Sequence, residues 1–195
     1  MNKTALTKLL KKIEVNISLL KEYKFFLAIL TFYVVLAENN FAVNAQFFQN
    51  ITKKIENNVP RLSYGVAVTD FNNDGNMEFI VTGFRYPNLA LSYKNGSYKN
   101  INSSELFADK KRSSIGVVAC DVDQDGFEEI YFLNTDTYSG TKKYSDRLLD
   151  AGKTVYDIFS FKKNQSNLNL TAGRSVACVD RRGNGNYGIY VSNYG

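Results

Sequence analysis

The chain has 195 residues, of which 44% are hydrophobic and 22% charged, enough for one globular domain or one and a part. It contains no His and no Trp, so no Ser-His-Asp triad, Cys-His pair, His-ligated zinc site or His general base can be built from it. The formal net charge is +5, with +3 in residues 1–45 and +2 scattered without runs over the remainder; no basic patch with interleaved aromatics marks a nucleic-acid surface.

Residues 25–37 read FFLAILTFYVVLA and follow Lys21 and Lys24. Thirteen apolar residues fall short of the roughly twenty that span a bilayer and suit the apolar core of a signal peptide. Val43, Asn44 and Ala45 then put small residues at positions −3 and −1 of a cleavage site before Gln46, with residues 35–37 as a second site. Residues 1–45 are therefore expected to be a signal-peptide region that meets the membrane only transiently. An uncleaved anchor and a buried core helix are the rivals, and the amphipathic stretch before the apolar run is long for a signal.

Five Asn-x-Ser/Thr sequons follow, at Asn50, Asn95, Asn102, Asn164 and Asn169, none with Pro at x. Glycan acceptors sit on accessible loops of secreted chains, so these are the expected glycosylation sites of an extracellular protein. Cys120 and Cys178 are the only cysteines. An oxidising compartment permits a bridge, whereas their apolar settings, VVACD and VACVD, also suit buried free thiols. They stand one and two residues before the next Asp, which puts them on opposite faces of equivalent strands. Both readings stay open.

Residues 46–195 are organised by a repeat. GVAVTDFNNDGNMEFIVTG (65–83), GVVACDVDQDGFEEIYFLN (116–134) and SVACVDRRGNGNYGIYVSN (175–193) each run from an apolar, β-branched stretch through a polar loop into a second apolar stretch. The leading acids Asp70, Asp121 and Asp180 are 51 and 59 residues apart, a period that fits four-stranded propeller blades. LALSYK and SYKNI flank Asn95-Gly96, a hairpin signal. TVYDIFSF alternates over 154–161, and Pro60 and Pro87 fall in connections. The expected fold class is all-β, a partial β-propeller of about two and a half four-stranded blades, with an antiparallel sandwich as the rival. Such an open array exposes an apolar blade face and the edge of its last strand, 189–193, which invites association.

The first loop places Asp70, Asn72, Asp74 and Glu78 at positions 1, 3, 5 and 9; the second places Asp121, Asp123, Asp125 and Glu129 there. Gly75 and Gly126 at position 6 allow a sharp turn, and Asn76 and Phe127 at position 7 can offer backbone carbonyls. Alternate oxygen ligands converging from a tight loop suit Ca²⁺; a plain solvated turn is the rival. Val81 and Phe132 occupy position 12, where an EF-hand needs Glu, so these are loops of a β-hairpin type. The third loop keeps Asp180, Asn184 and Gly185 but has Arg182 at position 3 and Gly188 at position 9. No ion is expected there; an Arg182–Asp pair is the expected substitute.

The three segments, including the degenerate third loop, resemble the amino-terminal repeats of the cartilage acidic protein 1 family over roughly residues 60–195. That resemblance implies FG-GAP-type blades like those of the integrin α-subunit, and a secreted, calcium-binding matrix or neural-guidance glycoprotein without catalysis. It also carries the ligand role onto Asp70, Asn72, Asp74, Glu78, Asp121, Asp123, Asp125 and Glu129. The expected partners are extracellular proteins and the expected cofactor is Ca²⁺. A sugar-binding or sugar-active propeller would need paired carboxylates across a cleft, and Asp136, Asp146, Asp150 and Asp157 show no suggestive spacing. An integrin-like receptor head is the remaining alternative.

Overall fold

The computed structural model describes residues 23–24, 48–151 and 154–194. The signal-peptide reading of residues 1–45 thus lies, but for 23–24, outside the described residues. Residues Ile51–Gly195 form one compact unit, separate from Met1–Asn50, and the architecture below is theirs.

Ten strands build three antiparallel sheets. β1 (Val66–Thr69), β2 (Glu78–Val81), β3 (Leu89–Lys94) and β4 (Ser97–Asn100) form the first, in that order. β5 (Ser114–Cys120), β6 (Glu129–Asn134), β7 (Arg147–Ala151) and β8 (Val155–Asp157) form the second; β9 (Gly173–Val179) and β10 (Gly188–Asn193) form a two-stranded third. Two four-stranded blades and two strands of a third are the all-β partial propeller expected from the repeat. The Asn95-Gly96 hairpin is in place, with φ of 53° and 86°, the left-handed pair that a tight two-residue turn requires. The strand expected over 154–161 is shorter. β8 stops at Asp157, whose carboxylate accepts from the Phe159 amide at 3.1 Å and caps a 3₁₀ turn over Ile158–Ser160.

β1 packs beside β5, and β5 beside β9, so the leading strands of the repeats lie innermost and the second sheet faces a neighbour on each side. Strand alternation assigns the faces. Val117 and Ala119 of β5 pack with Ala67, Ile80 and Ala90 of the first sheet, and Val118 packs with Val176, Ile189 and Val191 of the third. The same phase leaves Val66 and Val68 exposed on the first sheet and Ala177 and Val179 exposed on the third. Ile80, Ile130, Phe132 and Leu149 are fully buried between the first two sheets, each contributing about 1.5–3 kcal/mol. Phe107, in the single helical turn α1 (Glu105–Ala108), fills the same layer with its ring 4.8 Å from Phe71 and 5.3 Å from Phe132.

This phase explains the cysteines. Cys120 and Cys178 form a disulfide, which settles the question their one-residue offset left open, and for a physical reason. Opposite faces of one sheet diverge, but the forward face of one blade meets the backward face of the next. Cys120 points forward, Cys178 points back, and they meet in the interface. Closing a chain separation of 58 residues is worth about 4 kcal/mol in the chain-entropy account.

Charged residues also hold the blades. Lys142 and Asp146 are an ion pair with fully buried side chains. Asp146 accepts from the Tyr131 hydroxyl at 2.8 Å, the Asn134 amide at 2.7 Å and Asn169 Nδ2 at 2.6 Å, while Lys142 donates to the Asn134 carbonyl at 2.9 Å. Burial pushes the Lys142 ammonium down and the Tyr131 phenol up. Arg147 bridges Asp109, just after α1, at 2.7 Å and Asp157 at 2.6 Å. These acids serve the fold.

The innermost strands approach closely. A Cβ on Gly65 would sit 3.0 Å from Gly116 Cα, and one on Gly116 would sit 3.1 Å from Val176 Cγ1. The equivalent residue of the third repeat is Ser175, which is exposed. Gly65→Ala must push one backbone from another and is expected to cost about 1–3 kcal/mol, whereas Ser175→Ala stays within about 0.5 kcal/mol. Urea unfolding of the two variants checks this; equal midpoints would remove the close-packing argument.

Candidate metal centre

The acidic loops join β1 to β2, β5 to β6 and β9 to β10, at one end of the innermost strands. All three share a backbone path. Position 4 is left-handed in each (Asn73 at φ 55°, Gln124 at 66°, Gly183 at 64°), as is position 6 (Gly75 at 84°, Gly126 at 91°, Gly185 at 82°). Two left-handed residues reverse the chain within one turn, and Gly or Asn adopts this at least cost.

The position-1 Asp organises each turn by accepting amide N–H groups. Asp70 Oδ1 takes the Asp74 amide at 3.0 Å and Oδ2 the Gly75 amide at 2.8 Å. Asp121 takes Gln124 at 2.6 Å, Asp125 at 3.2 Å and Gly126 at 3.0 Å. Asp180 takes Arg182 at 3.0 Å, Gly183 at 2.8 Å and Gly185 at 2.7 Å, bonds that hold its carboxyl below the usual range, with Gly185 contributing most. The third loop is therefore braced by backbone amides. The expected Arg182–carboxylate pair is not among the ion pairs of the described residues.

Position 9 separates the first two loops from the third. Glu78 and Glu129 are 0% and 2% exposed. One oxygen of each accepts the amide of position 2: Phe71 to Glu78 at 3.0 Å and Val122 to Glu129 at 2.8 Å. The position-2 side chains peg the loops into the blade interfaces, Phe71 between the first and second sheets and Val122 between the second and third. Neither this peg nor the left-handed position 4 was read from the sequence, although hydrophobic Phe71 and Val122 inside polar loops were a visible signal. In the third loop Arg181 and Gly188 replace the peg and the acid, removing both.

The second oxygen of Glu78, Oε1, is buried and makes no hydrogen bond of normal geometry, although the Ser92 hydroxyl lies near enough to the carboxyl to offset part of the effect of burial. Burial raises the Glu78 pKa, and it pushes Glu129 up to about 7, with Asp123, Asp125 and Asp150 adding to the rise. No ion pair joins either Glu to a described cation. In the second loop Asp121, Asp123 and Glu129 each offer an oxygen, all within 4.8 Å of one another. Oxygens on opposite sides of a Ca²⁺ ion lie roughly 4.6–5.2 Å apart, so the group fits such an ion. Asp125 stands outside that group, with Oδ1 accepting the Phe127 amide at 2.9 Å. Phe127 offers only its carbonyl, its side chain being half exposed. In the first loop Asn72 bonds Asp74 through Nδ2 at 3.0 Å, and Asp74 Oδ1 accepts from the Asn76 amide and Nδ2, both at 2.9 Å.

Of the sequon residues, Asn50 and Asn95 are exposed. Asn102, Asn164 and Asn169 are half-buried, with Nδ2 donating to Ser104 (3.2 Å), to Ile158 (2.9 Å), and to Asp146 (2.6 Å) and Asn193 (3.0 Å) respectively.

Blades in series, each opening with a Gly-containing acidic loop between its first two strands, define the FG-GAP class of repeat protein. Residues 46–132 match the FG-GAP-like repeat. Cartilage acidic protein 1 from Homo sapiens, from Mus musculus and from Xenopus tropicalis are each 45% identical to the chain over 151 residues. The alignments take in 71% of this chain and 23% of each relative, so the chain spans about a quarter of their length. The chain belongs to the cartilage acidic protein 1 family.

Glu129 gives a pH test. Its folded pKa, near 7 without metal, lies above the ordinary carboxylate value, so its burial is favourable only while it is protonated. The metal-free protein is expected to lose stability as pH rises from about 4.5 through 7. Ca²⁺ is expected to reverse the loss, and Glu129→Gln to flatten it. Melting curves against pH, with chelator and with Ca²⁺, measure this; a flat wild-type profile under chelator would contradict it.

Proposed function

We propose that this protein is a secreted, Ca²⁺-stabilised, non-catalytic scaffold that presents propeller surfaces to other extracellular proteins. The observation that carries the reading is the buried position-9 Glu of each of the first two loops. Glu78 keeps one buried oxygen without a hydrogen bond of normal geometry, and Glu129 is buried beside Asp123 and Asp125; taking such carboxylates out of water is costly, and a hard divalent cation offsets that cost. Asp121, Asp123 and Glu129, with Asp125 and the Phe127 carbonyl, would hold the ion in the second loop. Asp70, Asn72, Asp74 and Glu78, with the Asn76 carbonyl, would hold it in the first. The ion's role is to fix the loops against the blade interfaces that Phe71 and Val122 enter. The interblade disulfide fits an oxidising compartment, and the relatives carry cartilage in their name. Their name also says acidic, whereas this chain is net positive, with many of its acids in the loops and in the buried Asp146 and Asp109 networks.

Calorimetry is expected to find two Ca²⁺ ions per chain. Asp70→Ala and Asp121→Ala each remove one, and Asp180→Ala removes none. The second loop, with four side-chain carboxylates against three, binds more tightly if charge count governs affinity. Zero or three ions would overturn the assignment.

Secretion is tested by expression in secreting cells with amino-terminal sequencing and glycosidase digestion. Cleavage before Gln46 and a glycosidase-sensitive mobility that Asn95→Gln reduces are expected. Asn169→Gln is expected to lower stability instead, because Asn169 Nδ2 holds Asp146. A cytosolic product that keeps Met1 and shows no glycosidase shift would refute the secreted reading.

A further inference from the structure

The opposite end of the innermost strands holds a second site. Tyr64 precedes β1, and Ile115 and Arg174 are the second residues of β5 and β9, so this end lies about 17 Å, five strand residues, from the acidic loops. There, a cavity of about 540 Å³ is lined from all three sheets by Tyr64, Phe84, Ile115, Asp136, Tyr138 and Arg174, among others, a volume within the usual range for ligand pockets. One wall is aromatic: Tyr64 and Phe84 meet edge to face at 5.7 Å. The other wall is cationic. The Arg174 guanidinium lies 4.7 Å from the Tyr138 ring centre and 5.1 Å from that of Tyr194, and donates to the Gly173 carbonyl at 3.3 Å and to the Tyr138 carbonyl.

Arg174 is held in place but not neutralised. Arg112 and Arg147 are paired with carboxylates, and Arg174 forms no ion pair with any described acid. Asp136 lines the same cavity, but both its oxygens accept the Lys143 amide, at 3.0 and 3.1 Å. A guanidinium oriented by two rings, facing an apolar wall, with one carboxylate available to a further N–H, is complementary to a peptide bearing an acidic side chain next to an apolar one. A second guanidinium, Arg85, lies 5.7 Å from the Phe84 ring centre, outside the lining, so a polyanion such as a sulfated sugar would meet one cation in the cavity and one beside it, together with the repulsion of Asp136.

We propose that this cavity docks an acidic peptide segment of a partner protein, its carboxylate on Arg174 and its neighbouring apolar side chain against Tyr64 and Phe84. The proposal deepens the scaffold reading and rests on it.

The probes are acetyl-Phe-Glu-amide and acetyl-Phe-Gln-amide, titrated into the full chain at low salt in Ca²⁺ buffer and followed by NMR. The Glu peptide is expected to saturate and to bind at least about ten-fold more tightly than the Gln peptide, the worth of one charge-assisted contact. Arg174→Gln and Tyr64→Ala are each expected to lose that advantage or weaken both peptides. Lys163→Ala, at an exposed position away from the cavity, is expected to leave peptide affinity unchanged. Comparing the two peptides on the wild-type chain needs no variant to fold. Equal affinity of the two peptides, no saturation by the Glu peptide, or unchanged binding by a folded Arg174→Gln chain would overturn the proposal. So would stronger competition by a sulfated disaccharide than by the Glu peptide. Ca²⁺ stoichiometry on the same samples separates the failures. Two ions without peptide binding refute the pocket alone, while loss of both refutes the scaffold.

Discussion

A propeller strand has no spare face. In a sheet that packs on one side, alternation divides the residues into core and solvent sets. Here it divides them into residues for the sheet before and residues for the sheet after. Val117 and Ala119 answer to one neighbour, Val118 and Cys120 to the other, and a one-residue slip in β5 would misassign both interfaces together. The other specific features attach to this phase: Gly65 and Gly116 where strands nearly touch, the bridge from a forward to a backward cysteine, and the loops whose second residue enters the next interface.

The interfaces combine two kinds of cohesion. Between the first and second sheets, aromatic and aliphatic side chains meet around Phe107. Between the second and third, apolar contacts share the work with the disulfide and with the Lys142–Asp146 pair. A buried ion pair is a poor source of raw stability, because desolvation offsets its attraction. What it supplies is connection. Asp146 holds Tyr131 and Asn134 of the second sheet together with Asn169 of the segment leading to the third. Removing any one of these would strand a charge or an amide in the interior.

Much of this was legible in the residues. The strands β1, β2, β5, β6, β9 and β10 are apolar, β-branched runs, and the loops announce themselves by alternating acids around a Gly, so the blade count followed from spacing. The missed features all depend on what a neighbour presents. The Cys120 and Cys178 offsets left the bridge open, because only the packing of two sheets turns their opposition into contact. Asp146 stood out only as an acid without suggestive spacing and nothing marked Lys142, because charged side chains seldom lie fully buried. Asp157 ends β8 through a local cap that competes with the strand, and TVYDIFSF alternates regardless. In the third loop Arg182 suggested an ion pair, while the amides already satisfied Asp180.

The Cys120–Cys178 bridge divides the chain into parts that answer differently to a pull. In a protein tensioned from its two ends, the residues between the cysteines cannot lengthen: with a separation of 58 residues at about 3.4 Å each, roughly 200 Å of contour stays out of the load path. The second acidic loop, 121–129, lies inside that protected length, and the first, 70–78, lies outside it. Force therefore peels the first sheet and opens its loop, while the second keeps its geometry until the sulfur–sulfur bond is reduced. The two loops are alike at rest and unlike under tension.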